Sequence, residues 1–158
     1  MPGPTSSSSW PTTWASAAAI VGARLPDNAG EDSVSLLPAL KGERLDAPRR
    51  EATVHQAISG ALSIRQGRWK LEMCPGSGGW SAPRDKEALA QGLPPVQLYD
   101  LPADPAEKTN VVAEHPEVVR RLRDLLARYV RDGRSTPGAP QQNTPPDAWP
   151  GIAWMKEG

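Results

Sequence analysis

The residues predict an α+β protein, a small antiparallel sheet of about four strands packed against one long C-terminal amphipathic helix, with short N-terminal helices and long loops. Three observations carry that expectation. Between Thr53 and Met73 apolar side chains tend to recur at every second position, the spacing of a half-buried strand. Between Pro116 and Arg131 they recur at intervals of three and four, the spacing of one helix face. With 18 prolines and 14 glycines in 158 residues, much of the chain is left to loops, and with no phenylalanine the core must draw on Leu, Val, Ile and Trp.

Taken in order, Met1 to Pro11 is polar, proline-bearing and without period, so residues 1–11 are expected as a disordered leader. Thr12 to Val21 favours a short helix, with Thr12 or Thr13 to cap it and Gly22 to end it. The turn-rich stretch Leu25-Pro26-Asp27-Asn28-Ala29-Gly30 follows. A second short helix is expected from Ser33 to Leu40, with Ser33 as cap and Leu36, Leu37 and Leu40 on one face, although Pro38 opposes a helix interior. Val54 to Ile58 reads as a strand. Leu62 and Ile64 share one face of a second strand, and Trp69, Leu71 and Met73 share one face of a third. Arg65-Gln66-Gly67-Arg68 places glycine where a tight hairpin needs positive φ. Cys74 to Pro95 reads as a long loop, and Val96 to Asp100 as the last short strand.

Asp104-Pro105-Ala106-Glu107 has the form of a helix start of about one turn, with Asp104 capping and Glu107 reaching back. The long helix then runs from about Pro116 to Arg131. Its apolar stripe is Val118, Val119, Leu122, Leu125, Leu126, Tyr129 and Val130, and Arg120, Arg121, Arg123, Arg128 and Arg131 dominate the other face, which reads as solvated. Gly133 ends it. Residues 12–133 are thus expected as one α+β region, and residues 134–158, rich in proline, as an extended tail.

Acidic and basic side chains balance at 18 each, which removes the global field that would draw the chain to nucleic acid or an anionic membrane. No apolar run approaches the roughly 20 residues that span a bilayer. The small-residue stretch Ala15 to Val21 lacks a basic start, so no targeting segment is expected. A lone cysteine, Cys74, excludes an internal disulfide and a structural zinc cluster, and leaves the compartment undetermined.

Unaided catalysis needs a nucleophile with a base, a metal cage or a carboxylate pair. His115, just before Pro116, reads as a solvated helix-cap residue. His55 lies in a candidate strand, where ordinary packing is the simpler reading and a substrate contact the functional one. Cys74 has no base beside it in sequence and reads as a plain loop thiol. Cys74-Pro75-Gly76-Ser77-Gly78-Gly79-Trp80 combines glycines that let a backbone approach a ligand with an apolar plate, so it is either a ligand-edge loop or a flexible connection. It is no phosphate loop, because no Gly-Lys-Ser/Thr follows.

The order of several segments resembles the C-terminal region of the arylsulfatase-like sulfatases, over about Thr12 to Trp149. The pieces are Ala29-Gly30-Glu31-Asp32-Ser33 before Leu36-Leu37-Pro38-Ala39-Leu40; Ile64-Arg65-Gln66-Gly67-Arg68-Trp69-Lys70-Leu71; Leu98-Tyr99-Asp100-Leu101 with Asp104-Pro105-Ala106-Glu107 and Asn110; and Gly133-Arg134-Ser135-Thr136-Pro137-Gly138. The resemblance implies a parent enzyme that hydrolyses sulfate esters with a formylglycine and a calcium ion. It also implies that this region is an α+β unit docked on a catalytic core lacking here, with loops that wall part of the substrate pocket. The family's Cys/Ser-x-Pro-x-Arg motif does not occur in this sequence, where Cys74 precedes Pro-Gly-Ser, so no catalytic or metal-binding residue carries over. The resemblance makes His55, Gly76, Ser77, Gly78, Gly79 and Trp80 the candidates for contacts at the substrate edge.

The first expectation is therefore a sulfatase C-terminal fragment, inactive alone, whose partners are the catalytic core, if made separately, and the parent's sulfate-ester substrate. The alternative is a stand-alone, non-catalytic binding module derived from a sulfatase. A third reading, hydrolysis through His55 and Cys74, predicts turnover that Cys74→Ala abolishes. An uncovered apolar face would favour self-association.

Overall fold

A computed structural model describes residues 13–44, 46–143 and 149–156. The expected leader, residues 1–11, lies outside the described residues, as do residues 144–148 and 157–158 of the expected tail. The chain forms two compact units, one from residues 1–50 with 132–141 and one from residues 51–131 with 142–158.

In the first unit, helix α1 covers Thr13–Val21 and helix α2 is the single turn Leu37–Leu40. The helix expected from Ser33 is shorter for a physical reason. Proline is tolerated only in the first helical turn, so α2 begins at Leu37, immediately before Pro38. Ser33 does not cap it; its hydroxyl accepts instead from the Ala15 N–H of α1 at 2.9 Å. The Ser16 hydroxyl likewise accepts from the Leu36 N–H at 2.9 Å.

Arg134 organises the rest of this unit. Its guanidinium, 8% exposed, donates to the Asp27 carboxylate at 3.1 Å and to the carbonyls of Thr136 at 2.9 Å, Pro137 at 2.9 Å and Ala139 at 2.8 Å. The Ala139 N–H returns to Asp27 at 3.0 Å, and the Ser135 N–H donates to Asp32 at 2.8 Å. The start of the stretch expected to be a free tail is thus pinned, because a buried planar fork of donors demands several acceptors in fixed positions.

The second unit is a four-stranded antiparallel sheet in the order β1-β2-β3-β4, with β1 at Thr53–Gln56, β2 at Leu62–Gln66, β3 at Trp69–Glu72 and β4 at Gln97–Asp100. A two-residue turn joins β2 to β3, with Gly67 at φ +59°, as the hairpin reading requires. The long helix, Pro116–Asp132, is labelled α4; its buried residues are Val118, Leu122, Leu125, Leu126 and Tyr129. They pack on Leu62, Ile64, Leu71 and Leu98 to make the core. Five of these side chains, Ile64, Leu71, Leu98, Leu122 and Leu126, are completely enclosed. No described helix is long and apolar enough to cross a membrane.

Three local expectations are corrected. Within the expected 74–95 loop, Asp85–Ala90 forms helix α3, whose first turn carries two acids in keeping with the helix dipole. Asp104 does cap, accepting from the N–H groups of Lys108 and Thr109 at 2.7 Å. Glu107, however, takes φ +54° and its carboxylate goes to Lys70 at 2.7 Å, so the segment is a turn and no helix follows. In the sequence read as an extended tail, Pro150–Lys156 forms a 3-10 helix. Trp149, Ile152 and Trp154 pack against the core, and the Trp154 carbonyl accepts from Arg123 at 2.6 Å. A Cβ at Gly151 would collide with the Gly60 carbonyl oxygen.

Candidate functional site

Alternation along the strands sorts the sheet into two faces. Val54, Ile64, Leu71 and Leu98 lie in one row of partners and face α4. The row His55, Ser63, Glu72 and Gln97 therefore belongs to the opposite face, with Arg65, Lys70 and Tyr99 in the row beside it. His55 is exposed on that face.

The opposite face carries a connected polar network. Lys70 Nζ bridges Glu72 at 2.8 Å and Glu107 at 2.7 Å. Burial pulls its pKa down, but the hydrogen bonds and charges of the two carboxylates outweigh burial and hold it above the ordinary lysine value. The Tyr99 hydroxyl donates to Gln97 Oε1 at 2.6 Å. Burial, with Glu72 next in effect, pushes the Tyr99 phenol up to about 12.

The glycine-rich segment lies at the β3 end of this network, and it is not loosely held. Asp85 Oδ1 accepts from the Gly76 N–H at 3.2 Å and the Gly78 N–H at 3.3 Å. The Gly78 carbonyl in turn accepts from the Ser59 N–H at 3.1 Å. The Ser77 hydroxyl donates to the Ser81 carbonyl at 2.7 Å and accepts from the Gly79 N–H at 3.2 Å. Two of the glycines are required by space. A Cβ on Gly76 would sit 2.6 Å from the Pro83 carbonyl oxygen, and one on Gly78, at φ +62°, would sit 2.9 Å from Ala57 Cβ. Trp80 stands 80% exposed beyond this loop, and Ile58, next to Gly79, is 72% exposed.

The structure therefore places Gly78 and Gly79 against the β1–β2 turn and Gly76 and Ser77 against residues 81–85, with Trp80 projecting, while no hydrogen bond among the described residues joins His55 to them. Cys74 is buried, and its thiol donates to the Gly76 carbonyl at 3.3 Å. Burial, reinforced by Glu72 and Asp85, pushes it up to about 12, which keeps it protonated and unreactive near neutral pH. A cavity of about 380 Å³ near Cys74, lined also by Met73, Val96, Val119 and Trp154, is mostly apolar, with Asp85 and Arg123 among its polar lining. Among the described residues no group of three or more His, Cys, Asp or Glu side chains could hold a metal ion. The sequence reading missed Lys70, Glu72, Asp85, Gln97 and Tyr99 as site-forming residues. For four of them the signal was present, since Lys70, Glu72, Gln97 and Tyr99 alternate with core leucines along β3 and β4.

No family model matches the chain. The chain is 41% identical over 116 residues to an N-acetylgalactosamine-6-O-sulfatase of Bacteroides thetaiotaomicron, a match covering 72% of this chain and 21% of that protein. It is 35% identical over 86 residues to a choline-sulfatase of Rhizobium meliloti, covering 54% of this chain and 13% of that protein. Among solved structures, one from the metabolism of multiple glycosaminoglycans by Bacteroides thetaiotaomicron matches with a TM-score of 0.57 at 38% identity, over 73% of this chain and 23% of that one. The chain thus spans about a fifth or less of the length of these curated relatives.

Proposed function

We propose, for a chain that carries the C-terminal region of an arylsulfatase-like sulfatase, that it supplies packing and part of the substrate-pocket rim of a sulfuric ester hydrolase and has no turnover by itself. The observation that carries this reading is the glycine-rich loop 76–80. Its backbone is fixed by Asp85 and Ser59, yet it displays an indole 80% exposed. Holding a large apolar ring in water costs free energy unless something covers it, and a loop held in one shape is suited to meet a substrate. His55, exposed on the polar sheet face, is the second candidate for the rim. The bond cleavage itself, with the family's formylglycine and calcium ion, belongs in this reading to a catalytic core outside the described residues.

The test is release of inorganic sulfate from N-acetylgalactosamine 6-sulfate and from an aryl sulfate. Purified chain alone is expected to release none. A chimera in which residues 29–138 replace the matching segment of the Bacteroides thetaiotaomicron relative is expected to retain turnover, with Trp80→Ala raising its KM. Sulfate release by the chain alone would overturn the reading, as would an active chimera in which neither Trp80→Ala nor His55→Ala changes KM.

A further inference from the structure

We infer that Gln97 is the positioning residue of the 74–80 loop: its carboxamide ties the loop backbone to the sheet and thereby sets where Trp80 stands. This rests on the rim reading for its functional meaning but not for its geometry.

Gln97 sits in β4, whose backbone is fixed by pairing with β3, and its side chain points to the polar face. Its Nε2 donates to the Cys74 carbonyl at 2.9 Å and to the Gly76 carbonyl at 2.8 Å, and lies 3.4 Å from Glu72 Oε2. Its Oε1 accepts from the Tyr99 hydroxyl at 2.6 Å. That arrangement admits only one orientation of the amide. Turned over, Oε1 would face two carbonyl oxygens and a carboxylate, and all three would repel it. The loop carbonyls thus select the orientation in which both carboxamide hydrogens meet the loop, and Tyr99, two residues along the same strand and on the same face, donates to the oxygen that this leaves over. The phenol can do this across the physiological range because it stays protonated up to about 12.

Asp85 completes the hold from the other side. Gln97 grips loop carbonyls and Asp85 grips the loop N–H groups of Gly76 and Gly78. Gly76 is held at both its N–H and its carbonyl. The two side chains are not equivalent, because Asp85 belongs to α3, which hangs from the same 74–95 segment. Among the described residues Gln97 is the sheet side chain that hydrogen-bonds the loop. Glycine has the most backbone freedom to lose, so a loop with Gly76, Gly78 and Gly79 keeps one shape only while such outside contacts hold it.

Amide hydrogen exchange on the full chain reads this directly. In Gln97→Leu, which keeps the bulk and removes both donors, exchange at Gly76 and Gly78 is expected to accelerate roughly tenfold, the worth of one to two hydrogen bonds, while Ile64 and Leu71 keep their protection. Tyr99→Phe is expected to give a smaller acceleration at the same two glycines. Asp85→Asn, which retains an acceptor oxygen, is expected to protect them where Asp85→Ala does not. The inference is overturned if Gln97→Leu leaves Gly76 and Gly78 unchanged, or if it accelerates Ile64 and Leu71 equally, since a merely structural glutamine would loosen the whole sheet. In the chimera described above, Gln97→Leu is expected to raise KM with kcat kept. Accelerated exchange with an unchanged KM would leave the hold on the loop standing and sink the rim reading alone.

Discussion

Consecutive residues of β3 and β4 meet opposite surroundings. Leu71 and Leu98 are completely enclosed beneath α4, whereas their neighbours Lys70, Glu72, Gln97 and Tyr99 join a chain of ion pairs and hydrogen bonds that runs to Glu107 and into the glycine-rich loop. The two faces share one backbone and differ in what they contribute. Apolar burial is nondirectional and worth about 25 cal/mol per Å², so the α4 face supplies the stability. Hydrogen bonds exchanged with water contribute only about 1 kcal/mol net each, but they are directional, so the opposite face supplies geometry. A functional surface can therefore be built on the second without risking the first.

That contrast predicts a graded set of outcomes. The largest effect is expected on the α4 face: Leu71→Ala, removing a side chain with no exposure, should cost about 3 kcal/mol or more in urea unfolding, and a cost below about 1 kcal/mol would erase the distinction between the faces. A smaller effect is expected from alkali. Cys74, Tyr99 and Tyr129 are each neutral when protonated, and in the folded chain each is pushed up to about 12, in every case by burial first. The folded state therefore holds these protons more tightly than the unfolded chain. The stability this provides is complete below the unfolded thiol pKa of about 8.5 and drains away as pH rises toward about 12. The midpoint of thermal unfolding should fall by about 5 °C or more between pH 9 and pH 11, with a shallower fall in Cys74→Ala; a flat profile would contradict the burial of all three. The smallest effect belongs to His55→Ala on the polar face, below about 0.5 kcal/mol in the same urea experiment, because His55 is exposed.

Much of this fold was legible in the residues because its main signals are local and periodic. The hairpin at Gly67 and the stripe from Val118 to Tyr129 each show their period within one element, and the structure has both. Helix α3 was hidden because Pro75, Pro83, Pro94 and four glycines surround it, although Asp85-Lys86-Glu87-Ala88-Leu89-Ala90 are good helix formers with acids in the first turn. The 3-10 helix at Pro150 was read as tail because proline suggests a break, yet proline is favoured at a first helical position. The residue types of the 76–80 loop showed that a backbone approaches something closely. What it approaches was not visible, because Pro83, Asp85, Ala57 and Gln97 reach it only through the fold. Lys70 and Glu107 likewise meet across 37 positions, a separation at which sequence pattern carries no information.

Arg134 bears on how the chain is made. Its acceptor Asp27 precedes it by 107 positions, and the 136–139 carbonyls that complete its surroundings come later still. At about 5–20 residues per second of synthesis, the segment around Asp27 waits several seconds on the ribosome before its guanidinium partner exists, and in that interval the strands β1 to β4 are already being produced. The first unit can consequently close only after residues 134–139 are made, and a chain cut before residue 134 keeps every sheet residue but lacks the guanidinium that fastens Asp27.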